Sequence, residues 1–293
     1  MTMLGVGALV ANKLRRLVRS YDSPRDFDLR DVGRCCDYSL SVIAGWGHEL
    51  SRYLGKPFEW TGLRVLEIGP GPDLGTGFIM LSRGCASYTA LDTRCLLEPQ
   101  GLHVVRTLVE RLGNPAGLDE ELNRLERGLA DPAGLADGRG RLRYIVDPER
   151  TFAGLDDSSV DVVVSQAVLE HVDDLAGWLG VLGRILAPGV VWISHVDLQT
   201  HTRYLRWRDP LNIYRFGERL YGALRFDGLP SRRRPDEYRR IFQQAGWTDV
   251  QAWPAARLDQ AYTQRLISQL AKPFRQADSH MDWLAMVLCA RRP

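Results

Sequence analysis

Leu63-Arg-Val-Leu-Glu-Ile-Gly-Pro-Gly-Pro-Asp-Leu-Gly75 carries most of the information about the fold of this chain. The apolar run at its start predicts a β-strand, and Gly69 and Gly71 predict a tight turn where backbone passes close to a ligand. A helix is expected from about Asp73 to Ser82, with free N–H groups at its start. The spacing is not that of the dinucleotide fingerprint G-x-G-x-x-G, because the third glycine falls one residue late. Glu67, at the end of the strand, favours a ligand with an amine or a sulfonium over a pyrophosphate.

Strands and helices alternate after this turn. Strands are predicted at 63–69, 87–91, 141–146, 160–165, 189–196, 247–254 and 283–290, with a helix near 235–245. This alternation predicts an α/β fold with a doubly wound, mostly parallel seven-stranded sheet. Residues 1–60 show helical periodicity and are expected to form an N-terminal helical cap, which leaves 61–293 as the ligand-binding domain.

The motif Glu67-x-Gly69-x-Gly71 resembles the first motif of the class I S-adenosylmethionine-dependent methyltransferases. Three later segments match that family in the same order: Ser87-Tyr-Thr-Ala-Leu-Asp92, Leu142-Arg-Tyr-Ile-Val-Asp147, and Ser159-Val-Asp-Val-Val-Val-Ser165-Gln-Ala-Val-Leu-Glu-His-Val172. The resemblance extends over residues 60–293. It implies a Rossmann-like methyltransferase fold whose last strand runs antiparallel, with S-adenosylmethionine as the cofactor and methyl transfer as the reaction.

The resemblance also implies which residues hold the cofactor. Asp92 lies about 20 residues after the glycines, where a carboxylate accepts hydrogen bonds from both ribose hydroxyls, and Asp147 is expected beside the adenine amino group. The complete expected set is Glu67, Gly69, Pro70, Gly71, Asp92, Thr93, Asp147, Pro148, Ser165, Gln166 and Ala167. A single acidic residue at a strand end is also a common helix cap, so the agreement of four segments in order carries the assignment.

The end of the fifth strand offers candidates for catalysis. His195 and Asp197 point to the same side of that strand, and His201 follows closely. One histidine could take the proton of an acceptor hydroxyl while Asp197 orients it. Alternatively, His195, Asp197 and His201 hold a divalent cation such as magnesium, or they only form loop hydrogen bonds. His171 is a further candidate base, although Glu170 and His171 could simply cap the next helix.

Residues 198–234 are longer than the sheet requires and are rich in aromatic residues and arginine. The segments 197–201, 209–216, 232–238 and 245–247 resemble methyltransferases of bacterial polysaccharide and glycosylated natural-product pathways, with Thr200 in place of an acid usual in that group. The resemblance implies O-methylation of a sugar, glycan or glycoside. Because the insertion is long and leaves the sheet at its ligand-binding edge, we expect it to enclose the acceptor together with the helical cap. Expected acceptor contacts are Trp207, Asn212, Tyr214 and Arg215, since rings and planar donors suit sugars. Eleven arginines against five acidic residues between Arg203 and Arg240 would suit an anionic acceptor.

Two other functions fit the same residues. One is a small-molecule O- or N-methyltransferase of secondary metabolism, and the other is a regulator that binds S-adenosylmethionine without turnover. The net charge of +2 argues against a nucleic-acid partner, and five cysteines without a C-x-x-C pair fit a reducing cytoplasm. No transmembrane segment is predicted. Residues 1–21 fit either packing on the domain or, as an amphipathic helix, contact with a membrane surface, and the oligomeric state stays open.

Overall fold

The computed structural model describes residues 2–18, 28–115, 117–130, 133–136, 140–226 and 229–293. Its strands are β1 Arg64–Ile68, β2 Ser87–Asp92, β3 Leu142–Val146, β4 Val160–Gln166, β5 Leu186–Asp197, β6 Thr248–Arg257 and β7 Trp283–Arg291. They form one seven-stranded sheet in the order β3-β2-β1-β4-β5-β7-β6. β7 is antiparallel to both neighbours, and the other pairs are parallel. The predicted fold class is confirmed.

Helices pack on both faces of this sheet and beside it. They are α1 Thr2–Val18, α2 Val32–Leu54, α3 Gly75–Ser82, α4 Pro99–Arg111, α5 Leu118–Ala130, α6 Ala133–Ala136, α7 Leu175–Leu182, α8 Arg203–Arg206, α9 Glu218–Leu224, α10 Pro235–Gln244 and α11 Gln260–Ile267. α2, α3 and α4 share a hydrophobic core on one face, and α7 and α10 share a core on the other. The result is a three-layer α/β/α arrangement.

In each central strand, the side chains of neighbouring residues pack in opposite cores. In β1, Val65 packs under α2, α3 and α4, whereas Leu66 and Ile68 face α7 and α10. In β5, Ile193 and Trp192 are separated in the same way. Because both faces of a parallel sheet are covered, its strands are apolar throughout instead of alternating with polar residues. This explains the nearly continuous apolar runs in the sequence.

The parallel strands end at one edge of the sheet. The register pairs Ile68 with Leu91 and with Ser165, and pairs Asp92 with Val146. The strand order reverses between β1 and β4, and the crevice outside the carboxyl ends at such a reversal is where open α/β sheets bind ligands. The turn after β1 and the loop after β4 therefore face each other across this crevice.

A third apolar cluster lies beside the sheet and joins segments that are distant in sequence. Leu9 of α1 packs in it with Tyr214 and Phe216 of the segment after β5 and with Leu266 of α11. α1 therefore packs on the predicted acceptor insertion, whereas α2 packs on α3 and α4. The two helices of the predicted N-terminal cap contribute to different cores.

Two details of the elements differ from what the sequence indicated. α3 begins at Gly75 and not at Asp73, because the Asp73 carboxylate accepts the Gly75 N–H at 2.9 Å from outside the helix. α11, between β6 and β7, was not among the predicted helices.

A comparison of two glycine substitutions tests the packing of α3 on β2. A Cβ at Gly77 would lie 2.4 Å from Cε1 of Tyr88, so Gly77→Ala should lower the free energy of unfolding by about 1–3 kcal/mol. Gly45→Ala is the matched control, because Gly45 is an exposed position of α2 with open space where its Cβ would be. That variant should gain about 0.5–1 kcal/mol. Urea denaturation measures both, and equal effects would contradict the packing described.

Candidate functional site

The turn after β1 has the geometry that its glycines predict. The backbone φ is +68° at Gly69 and +81° at Gly71, in the left-handed region that residues with a Cβ disfavour. The Gly69 N–H donates to the Leu91 carbonyl at 2.8 Å and joins the turn to the end of β2. A Cβ on Gly69 would lie 2.5 Å from Cγ2 of Val168. Glycine therefore allows the loop after β4 to close against the turn.

Glu67 is buried beneath this turn. Its Oε2 accepts hydrogen bonds from Thr76 Oγ1 at 2.6 Å and from the Tyr88 hydroxyl at 2.7 Å. Burial and the charge of Glu67 raise the pKa of Tyr88, so the phenol stays protonated and donates. These bonds connect β1 to α3 and β2 and hold the turn in place. A direct contact between Glu67 and the cofactor stays a prediction.

Asp92 suits the ribose role predicted for it. It ends β2 beside the glycine turn, and its Oδ1 accepts the Arg94 N–H at 3.3 Å. Burial raises the pKa of Asp92. A partly desolvated carboxylate is stabilised in its ionised form by additional hydrogen-bond donors, and a ribose diol supplies two. Thr93 follows at the same edge and is half-buried.

Asp147 has partners within its own loop. Its Oδ2 accepts the Phe152 N–H at 2.7 Å, and its Oδ1 accepts the Thr151 hydroxyl at 3.4 Å. Its own N–H donates to the Asp92 carbonyl at 2.8 Å, which aligns the loop with the end of β2. Asp147 thus shapes the loop that contains the exposed Pro148. The adenine contact expected of Asp147 stays a prediction.

The end of β4 forms the opposite wall of the crevice. The Ser165 hydroxyl lies 2.5 Å from the Ser194 hydroxyl and so bonds across the sheet to β5. Ala167 has a φ of +55°, and its N–H donates to the His195 carbonyl at 2.8 Å. This left-handed residue turns the chain out of the strand. Gln166 and Ala167 are thereby placed at the sheet edge, and their contact with the cofactor stays a prediction.

The structure brings Asp197, His201 and His171 together at the ends of β4 and β5. His201 Nε2 lies 3.4 Å from Asp197 Oδ2, and the rings of His171 and His201 have centroids 4.9 Å apart. Arg206 Nη1 lies 2.6 Å from the same oxygen of Asp197. Burial raises the pKa of Asp197, but His201 and Arg206 outweigh it and hold the pKa below its ordinary value. The group places a histidine beside an ionised carboxylate.

His195 has a different environment from His201. It lies within the sheet, in register with Gln166. Burial lowers the pKa of His195, and the charges of Asp197 and Glu49 oppose this only in part, so the imidazole is neutral at neutral pH. Its assignment as a base stays a prediction.

Glu170 is a member of this site that the sequence did not single out. The suggestion that Glu170 and His171 cap the next helix is wrong, because Asp174 caps α7 by accepting the Gly177 N–H at 2.9 Å. Glu170 is instead buried, and its Oε1 accepts the Asp197 N–H at 3.3 Å. Burial, with the charge of Asp197, raises the pKa of Glu170 well above its ordinary value.

A possible cation site overlaps this group. Among the described residues, candidate ligand atoms of Glu170, His171 and His201 lie within 4.8 Å of one another. The cluster differs from the predicted trio of His195, Asp197 and His201, because Glu170 and His171 take the places of His195 and Asp197. A divalent cation there would lower the pKa of an acceptor hydroxyl.

The predicted acceptor residues are mostly engaged inside the insertion. Asn212 Nδ2 and Arg215 Nε donate to the buried carboxylate of Asp209, at 2.8 and 2.7 Å. The Tyr214 hydroxyl donates to the Leu198 carbonyl at 2.8 Å. Trp207, by contrast, is 86% exposed.

Two of the three residues of the arginine run 232–234 are buried. Arg232 is buried and donates to the carbonyls of Ile213 and Phe216. Arg234 is also buried and donates to the carbonyls of Ser279 and Trp283, at 2.9 and 3.0 Å. These guanidinium groups bind backbone, so the local arginine excess is only partly available to an anionic acceptor.

Comparison with known families identifies the class of this chain. Residues 40–252 match a family described as a methyltransferase domain. The match extends over most of the chain and includes the turn after β1 and the ends of β2, β3 and β4. The chain belongs to this family. The predicted class, an S-adenosylmethionine-dependent methyltransferase with S-adenosylmethionine as cofactor, is confirmed.

Solved structures with a similar fold include several methyltransferases. Phosphoethanolamine N-methyltransferase 2 of Haemonchus contortus, in complex with phosphomonomethylethanolamine and S-adenosylhomocysteine, is 14% identical with a TM-score of 0.47, over 88% of this chain and 53% of that chain. The present chain thus spans about half the length of that protein. The CurJ carbon methyltransferase is 16% identical with a TM-score of 0.48, over 99% of this chain and 67% of that chain. No curated protein matches the sequence. Similarity at this level identifies no acceptor.

Replacing Asp92 tests the position of the cofactor ribose. Asp92→Ala should weaken S-adenosylmethionine binding by about 1–3 kcal/mol, since a charged hydrogen-bond acceptor is lost. Glu149→Ala is the control, because Glu149 is an exposed acid in the loop after β3. Calorimetric titration gives both affinities. An unchanged affinity in Asp92→Ala would remove Asp92 from the cofactor site.

The raised pKa of Glu170 predicts a pH-dependent stability. The folded state holds the proton of Glu170 more tightly than the unfolded state, so this contribution is complete below about pH 4.3 and is lost as pH rises through the folded pKa. The variant Glu170→Gln has no titratable group at this position, so its stability lacks this pH dependence. The free energy of unfolding of the variant, relative to that of the native protein, should therefore increase between about pH 5 and about pH 8. Denaturant titrations across this range measure it, with the exposed Glu149→Gln as control. Parallel profiles for all three proteins would show that Glu170 is not held neutral.

Proposed function

We propose that this chain transfers the methyl group of S-adenosylmethionine to a hydroxyl of a sugar, glycan or glycoside. The observation that carries a hydroxyl acceptor is the pair of Asp197 and His201, 3.4 Å apart at the ligand-binding edge of the sheet. A hydroxyl must lose its proton as it attacks, and a histidine oriented by a carboxylate is suited to take it. A neutral amine can attack before it loses a proton.

Different residues have different roles in the proposed in-line displacement. The sulfonium supplies an electrophilic methyl group: the acceptor oxygen forms a bond to the methyl carbon while the carbon–sulfur bond breaks and a neutral thioether leaves. Gly69, Gly71 and Asp92 orient the donor. His201 takes the acceptor proton, and the ionised Asp197 stabilises the imidazolium. The ring of His171, packed against His201, restricts its rotation.

Support for a sugar acceptor comes from the segment between β5 and α10. Asn212, Tyr214 and Arg215 stabilise this segment through their internal bonds and leave Trp207 as its exposed aromatic platform. An indole face suits the apolar face of a pyranose ring. Arg203 and Arg208 are exposed near it and would favour a phosphorylated or carboxylated sugar.

A methyl-transfer assay tests the acceptor and the base together. The native protein should methylate members of a panel of glycosides and glycans in preference to phenols and amines. His201→Ala should reduce turnover by about 10²- to 10⁴-fold without changing S-adenosylmethionine affinity. His103→Ala, an exposed histidine of α4, is the matched control. Equal turnover in the two variants would exclude His201 as the base, and exclusive methylation of amines would exclude the proposed acceptor class.

Chelation distinguishes the base from a metal at the same site. With His201 as a general base, turnover should be unchanged after treatment with a chelator. Loss of turnover that magnesium restores would instead place a cation on Glu170, His171 and His201.

A further inference from the structure

Large apolar side chains are exposed mainly in one part of this protein. Of the nine that are exposed among the described residues, four belong to α1 and three to the segment of α8 and α9, on which α1 packs. Val146 and Val181 lie elsewhere. Single exposed apolar residues are ordinary, but a concentration of them on adjoining elements indicates a binding surface.

α1 presents an apolar stripe to solvent. Met3, Val10 and Leu14 are spaced by seven and four residues, so they share one side of the helix, and Met3 and Leu14 are 90% and 58% exposed. Leu4 is exposed as well. The opposite side of the helix is already used, because Leu9 is buried in the third cluster. A surface helix ordinarily has its polar residues facing solvent, so the exposed stripe of α1 requires another explanation.

The segment after β5 adjoins this stripe. Asn12 Nδ2 donates to Thr202 Oγ1 at 3.2 Å, and Lys13 Nζ donates to the Ala223 carbonyl at 2.7 Å. These bonds tie α1 to the start of α8 and to the end of α9. Tyr204 is exposed on α8 and Leu220 on α9, and Trp207, the proposed acceptor platform, is exposed directly after α8. Aromatic rings with polar tips are favoured at the boundary between lipid and water.

The charges around this surface are predominantly positive. α1 contains no Asp or Glu, and its basic residues include Lys13 and Arg15. Arg203, Arg208 and Arg219 are exposed on or beside α8 and α9, and the Arg208 guanidinium stacks over the Tyr204 ring at 4.3 Å. The exposed acid of α9, Glu218, is paired with Arg232.

Apolar side chains bordered by arginine and lysine complement an anionic bilayer surface, which has an apolar acyl-chain boundary and negatively charged headgroups. The apolar groups enter the boundary of the acyl chains, and the cations meet the phosphates of the headgroups. No helix among the described residues is long and apolar enough to cross a membrane. We propose that α1, α8 and α9 form a membrane-docking face that binds the surface of an anionic lipid bilayer.

Vesicle flotation tests this proposal without any methyl acceptor. The protein should float with vesicles of phosphatidylcholine containing about one third phosphatidylglycerol, more weakly with phosphatidylcholine alone, and less as salt is added. The double variant Val10→Glu/Leu14→Glu should lose at least about tenfold in binding to the anionic vesicles. Val181→Glu is the matched control, since Val181 is an exposed valine of α7, and it should bind as the native protein does.

S-adenosylmethionine affinity, measured on each variant, confirms that it is folded. The proposal is overturned if the native protein ignores anionic vesicles, or if Val181→Glu loses as much binding as the double variant. It is also overturned if sedimentation velocity shows a dimer that Val10→Glu/Leu14→Glu dissociates while no protein floats, because the same face would then join two copies. None of these readouts depends on the acceptor or on His201.

Discussion

The hydrogen bonds that the Glu67 carboxylate accepts from Thr76 and Tyr88 hold together the part of the structure on which the rest depends. They join β1, the helix α3 and the neighbouring strand β2 beneath one glycine turn. A buried carboxylate left without donors would cost several kcal/mol or take up a proton. The two bonds therefore set where the turn lies, and with it the crevice that Asp92 and the end of β4 border.

The acidic groups near the proposed base differ in pKa because their surroundings differ. His201 and Arg206 hold the pKa of Asp197 below its ordinary value, whereas burial and the neighbouring charge of Asp197 raise the pKa of Glu170 well above its ordinary value. Such separation of two carboxyl groups by environment is how active sites assign different roles to the same chemistry. Arg206 belongs to α8, so the insertion after β5 also maintains the charge that orients His201.

The insertion formed by residues 198–234 has its own buried contacts. Asp209 and Arg215 form a buried ion pair at 2.7 Å, and Asn212 donates to the same carboxylate. Arg234 adds bonds to backbone on the approach to β7. Buried ion pairs of this kind gain little net stability after desolvation, but removing one partner is costly. These contacts anchor the insertion, and α1 packs on it and extends its outer surface.

Much of the fold was readable from residues 63–172, because local patterns encode it: apolar runs covered on both faces, glycines at positive φ, and acids at strand ends. The family, the cofactor and the sheet followed from these. The partners of Glu67, the capping of α7 by Asp174, and the burial of Arg232 and Arg234 were not readable, since each depends on contacts between distant segments. The same holds for the site: the sequence named His201 and Asp197 as candidates, but their separation of 3.4 Å, the raised pKa of Glu170 and the docking of α1 on the insertion arise from packing. Hydrophobic periodicity in the sequence indicates which side of a helix or strand is apolar. Only the tertiary structure shows which segment packs against that side.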